Sequence, residues 1–236
     1  MRRYIYFVFL LCCAVNLLLT SCVRQKYVVM DMVHHNPGEA MTESKFLDPS
    51  FLKKNEYGAK VFFLFEAAQF GIDWKSFDPS LFPDTTEAGR WVAEKAEIIH
   101  KKYDAAKKED LQVYCMLDML VLPSLLVEKH RTELTNEQGK LDISKPYTQL
   151  CIRELMKEMF ETFPQLDGLV IRTGETYLHD APYYVGNHPV QNGMYDHITL
   201  INLLREEVCE RRNKKLFYRT WDMGQLHSIP KYYLSV

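Results

Sequence analysis

Apolar and polar positions follow one another in blocks of two kinds along the chain. Residues 27–33 form an apolar, β-branched run that ends in the polar cluster His34-His35-Asn36-Pro37-Gly38-Glu39, which reads as a strand entering a loop. Asp48-Pro49 opens a short helix, and a second strand run at 60–65 ends at Glu66. A long loop with Gly71, Pro79 and Pro83 closes on Asp84-Thr85-Thr86-Glu87, where Asp84 can cap a helix and Glu87 can reach back. The helix after it gathers Trp91, Val92, Ala96, Ile99 and Tyr103 on one stripe. The alternation then recurs. A strand at 111–117 ends at Asp118, and a helix at 145–163 carries apolar residues at 152, 155, 156, 159, 160 and 163. A strand at 167–172 ends in Thr173-Gly174-Glu175, a helix covers 196–212, and a strand at 215–220 ends in Trp221-Asp222.

Strands apolar on both faces that alternate with amphipathic helices predict a parallel sheet with helices outside it. Two closures fit, an open doubly wound sheet or a βα barrel. His34, Glu66, Asp118, Arg172 with Glu175, and Asp222 each lie at the carboxyl end of a different predicted strand. That distribution favours a barrel rim, since a doubly wound sheet gathers its ligand groups at one switch point, often with a glycine-rich phosphate loop, and no GxGxxG or P-loop occurs. The expected fold is therefore α/β, a (β/α) TIM-type barrel. Eight units need about 250 residues, whereas five units use this whole chain, so about five of eight units are expected, as a truncated or split barrel. Its two open sheet edges would favour a complementing chain or self-association.

The amino end adds a location. Arg2 and Arg3 precede an apolar run at 4–19 broken only by Asn16, then Thr20, Ser21 and Cys22, the layout of a cleaved signal segment. The run is shorter than the roughly 20 apolar residues a spanning helix needs. Leu19-Thr20-Ser21-Cys22 resembles a bacterial lipobox, which implies cleavage ahead of Cys22, lipid on its sulfur, and a lipid-anchored place in the cell envelope, at the outer membrane or surface of a Gram-negative bacterium. The other reading is an ordinary signal peptide with an incidental cysteine. The organisation is then a signal peptide at 1–21, a lipid-anchored linker at 22–26 and a partial barrel at 27–236.

Charge and cysteine content narrow the partners. The whole chain has 29 basic and 31 acidic side chains, and the signal takes away two arginines and no acid, leaving a mature net charge of −4 that argues against nucleic acid. Cys12 and Cys13 leave with the signal, and Cys115, Cys151 and Cys209 carry no CxxC spacing, so they read as buried thiols and not as a disulfide framework or zinc site. His34 and His35 are adjacent in an extended segment and point opposite ways, which suits hydrogen bonding at the rim better than a shared metal. No metal or cofactor is expected.

Three stretches carry a family resemblance: residues 28–39, beginning Val28-Val29-Met30-Asp31; residues 167–177, with Arg172-Thr173-Gly174-Glu175-Thr176-Tyr177; and residues 216–222, ending Arg219-Thr220-Trp221-Asp222. They resemble bacterial glycoside hydrolases related to the α-glucuronidases. The resemblance implies a βα barrel, hydrolysis with inversion, and a glutamate general acid in a loop after the fourth strand, a position that Glu175 matches. It also implies a carbohydrate substrate derived from plant or host polysaccharide, with a uronic acid residue to be removed.

The residue chemistry is compatible. A glycosidase needs one protonated carboxyl group for the leaving oxygen and a second, ionised one across the sugar. Tyr177, Tyr183 and Tyr184 could wall in Glu175 and raise its pKa; the other reading of Glu175 is a carboxylate paired with Arg172 or capping the next segment. Asp118 and Asp222 are candidate second carboxylates. Arg172 and Arg219 could fork onto a substrate carboxylate or form barrel-interior ion pairs. Trp221 could stack on a sugar ring or sit in the core, while Glu66 and His34 complete the candidate substrate-binding rim. A non-catalytic sugar-binding lipoprotein and a fragment without independent function also fit the sequence.

Overall fold

The computed structural model describes residues 28–31, 44–63, 66–173, 176–178 and 180–219. Cys22, His34, His35, Glu175, Trp221 and Asp222 lie outside these residues. In chain order the elements are β1 (Met30–Asp31), α1 (Pro49–Lys54), β2 (Ala59–Phe62), α2 (Glu87–Lys108), β3 (Gln112–Asp118), β4 (Val121–Pro123), α3 (Ser124–Lys129), α4 (Arg131–Leu134), α5 (Pro146–Thr162), β5 (Gly168–Arg172), β6 (Tyr184–Gly186), α6 (Met194–Leu204) and β7 (Lys215–Arg219).

Five strands form one parallel sheet in the order β1-β2-β3-β5-β7. The order never reverses, as the barrel reading expects and a doubly wound sheet does not. Among the described residues the sheet is open, with β1 and β7 at its edges. Side chains alternate across it. Phe62, Val113, Cys115, Leu117, Leu169 and Ile171 face the helices and pack with Leu52, Val92, Ile99, Tyr103, Ile152, Leu155 and Leu200 in the main core. Ala59, Val61, Phe63, Tyr114, Met116 and Val170 form a second buried cluster on the other face. Each large apolar side chain so buried contributes roughly 1.5–3 kcal/mol.

Polar contacts fix the strand edges. Lys60 and Asp31, both buried, pair at 2.8 Å across β1 and β2, and Lys60 also donates to the Phe46 carbonyl. At the amino end of the sheet, the Asp167 carboxylate accepts from the Val113 amide at 2.7 Å and from Lys107 at 2.6 Å. Gly168 is needed beside it, because a Cβ there would lie 2.1 Å from the Lys215 carbonyl of the adjoining strand.

The elements depart from the sequence pattern in four places. Thr86, not Asp84, caps α2: its hydroxyl accepts from the Gly89 amide at 3.0 Å. Asp84 lies too early for that geometry and pairs with Lys75 instead. The long loop contains a 3₁₀ turn at Ala68–Gly71. Residues 121–134, which show no separate periodicity after the third strand run, supply α3, α4 and one strand of the antiparallel β4–β6 pair. The helix expected over 196–212 widens to a π-helix at Arg205–Glu210, where the buried Glu207 carboxylate takes Arg153 at 2.5 Å, Arg212 at 2.8 Å and Arg211 at 3.2 Å.

Cys115 and Cys151 are buried and Cys209 is half-buried, all three as free thiols. Burial pushes the Cys115 and Cys151 thiols up to about 12. An unfolded thiol ionises near 8.5. Each buried thiol therefore gives its full support below that value, and the support is lost as pH rises toward about 12. With iodoacetamide at pH 8, Cys209 should alkylate in the native protein while Cys115 and Cys151 react only in denaturant; mass spectrometry of peptides reads this directly. Equal native labelling of all three would contradict the burial.

Candidate functional site

The carboxyl ends of β3, β5 and β7 come into register at Asp118, Arg172 and Arg219. Alternation puts all three side chains on the face opposite the helices, because Leu117, Ile171 and Tyr218 point into the main core. The Asp118 carboxylate accepts from Arg172 Nε at 2.5 Å and Nη2 at 2.7 Å, and from the Tyr177 backbone amide at 2.8 Å. Asp118 and Arg172 are both buried. The rings of Phe63 and Tyr177 each pack 4.5 Å from the Arg172 guanidinium carbon, which adds cation–π attraction to a desolvated cation.

This cluster works as a clamp on the segment that follows β5. Tyr177 is tied by its amide to Asp118 and by its ring to Arg172. On the other side of Glu175, the buried Thr173 hydroxyl donates to the Arg219 carbonyl at 3.4 Å. Both flanks of residues 174–175 are therefore anchored to the sheet rim.

The structure sorts the sequence candidates accordingly. Asp118, Arg172 and Tyr177 are brought together, with Arg219 beside them. Arg172 turns two of its guanidinium nitrogens to Asp118, so the ion-pair alternative for this arginine is realised, and the Asp118 oxygens are occupied as well. Glu66 is not part of the cluster: its carboxylate pairs with Lys102 of α2 and its carbonyl accepts from Tyr103, both on the helix side. Tyr183 and Tyr184 do not wall this rim either. Tyr184 packs against Phe70, Phe82 and Trp91, and donates to the Gln69 carbonyl, while Tyr183 stacks edge-on to Trp91. Glu175, His34, Trp221 and Asp222 lie outside the described residues.

Phe63 is a contact the sequence reading missed, although an aromatic at the carboxyl end of a strand, on the face opposite Phe62, was a signal that could have pointed to it. Among the described residues, no three His, Cys, Asp or Glu side chains form a group that could hold a metal ion. Nor is any described helix long and apolar enough to cross a membrane.

No protein-family model matches the chain and no curated protein does, so the α-glucuronidase resemblance is carried by its three motifs alone. Among solved structures, the chain is similar to a noncanonic maltogenic α-amylase from Thermotoga neapolitana, at 13% identity and a TM-score of 0.47, over 88% of this chain and 47% of that one. The chain thus spans about half the length of the amylase.

Proposed function

We propose that the protein is a lipid-anchored glycoside hydrolase of the βα-barrel type, with its sugar site at the carboxyl ends of the strands and Glu175 as the general acid. One observation supports this above the others: the Asp118–Arg172 pair fixes the amide of Tyr177, two positions after Glu175 in the chain, at the strand ends where barrel enzymes gather their catalytic groups. Asp118 and Arg172 are positioning residues in this reading, and the second carboxylate falls to Asp222. Arg219, in register with Arg172 on the same face, is the candidate contact for the carboxylate of a uronic acid.

The occupied Asp118 also favours a second reading. A rim that keeps Tyr177 and Arg219 but lacks a facing pair of carboxylates would bind carbohydrate without cleaving it. The purified chain should be tested on a panel of aryl glycosides and glucuronic-acid-capped oligosaccharides, with calorimetric titration in parallel. Release of sugar supports hydrolysis, binding without release supports the binding reading, and neither removes both.

The anchor is tested separately. Metabolic labelling with palmitate should mark Cys22, and Cys22→Ala should move the protein from the membrane to the soluble fraction. One residue carrying several acyl chains accounts for firm anchoring at about 0.8 kcal/mol per buried CH₂. A Cys22→Ala variant that still sediments with membranes would contradict lipidation.

A further inference from the structure

We infer that the amino-terminal pole of the sheet lies against the bilayer and that the carboxyl-end rim is held away from it, facing solvent. The inference rests on the proposed lipidation of Cys22. β1 runs parallel to its four neighbours, so the starts of all five strands share one pole and the Asp118–Arg172 clamp lies at the other. Val28 is six positions after Cys22. An extended chain covers at most about 3.6 Å per residue, so the tether reaches about 22 Å.

The register joins Met30 to Ala59 and Ala59 to Gln112, which sets Val28 eight residue steps below Asp118. At a strand rise of about 3.3 Å per residue this is about 26 Å. Even a taut tether is shorter than the distance from its attachment to the rim. An upright sheet therefore cannot press its rim onto the membrane that holds the acyl chains, whereas its pole can rest there.

The surface at the pole suits an interface. Val28 and Val29 are 41% and 53% exposed. The nearby Lys53 and Lys107 are paired with Asp110 and Asp167. Contact here follows from the short tether and does not need anionic lipid.

The test uses the lipidated full chain in phosphatidylcholine vesicles that carry a nitroxide on the headgroup. In a Cys209→Ser background, single fluorophores are attached at the pole through Lys54→Cys or Lys108→Cys, and near the rim through Glu87→Cys or Val185→Cys. Labels at the pole should lose most of their emission and labels near the rim should keep theirs. Equal quenching of both sets, or unquenched pole labels on protein that floats with the vesicles, would overturn the orientation while leaving the anchor intact. Failure of the wild-type protein to float would remove the lipoprotein reading, and the orientation with it.

Discussion

Asp118→Ala should destabilise the protein by about 3–5 kcal/mol, because it leaves the Arg172 guanidinium buried without its carboxylate. The replacement also strips the Tyr177 amide of its acceptor, at about 1–3 kcal/mol if water cannot reach it. Against a total stability of about 5–15 kcal/mol, the loss lowers the melting temperature by on the order of 10 °C. Removing both charges in Asp118→Leu/Arg172→Met should cost less than the single change, since no unpaired ion remains. Urea unfolding of Asp118→Leu, Arg172→Met and the double variant measures this as a coupling free energy. A loss below about 1 kcal/mol for Asp118→Ala would place the pair in the range of solvent-screened surface bridges, and the clamp on Tyr177 would lose its physical basis.

The parallel sheet was legible in the sequence because its evidence is local. The runs at 111–117 and 167–172 are apolar at consecutive positions, so they need cover on both faces, and the amphipathic helices between them supply one cover. The observed β3 and β5 follow those runs to within a residue. The antiparallel β4–β6 pair was not legible for the opposite reason: Val121 pairs with Gly186, sixty-five positions away, and neither three-residue strand carries a period of its own. The cap of α2 was misplaced because Asp84, Thr85 and Thr86 are all chemically able to cap, and only the packing of the helix decides which one does.

The candidate site was legible as positions but not as partnerships. The carboxyl-end rule selected Asp118 and Arg172 from the strand ends alone, Arg219 entered as a guanidinium able to fork onto a substrate carboxylate, and register joins all three. It could not show that Asp118 and Arg172 pair with each other, because their separation of 54 positions holds no sequence signal for contact. Glu66 met the same rule and failed it: its carboxylate lies on the helix side, where Lys102 takes it.

Glu175→Gln should reduce hydrolysis of alkyl glycosides and natural oligosaccharides by about 10²–10⁴, the usual worth of a positioned general acid. Glutamine keeps the shape of the side chain and removes the transferable proton, so binding of substrate should change little and the loss should fall on kcat. An alkoxide leaving oxygen needs that proton, whereas a dinitrophenolate leaves without it. The same variant should therefore retain most of its rate on dinitrophenyl glycosides, and Asp118→Asn should lose rate on the alkyl substrates through misplacement of the segment that Tyr177 anchors. The most direct measurement is the ratio of wild-type to Glu175→Gln kcat/KM across a series of leaving groups of rising acidity. A ratio that is large for alkyl glycosides and falls steeply toward the dinitrophenyl glycoside is the expected result; a ratio that stays near one throughout would contradict Glu175 as the acid and the rim as the site of glycoside cleavage.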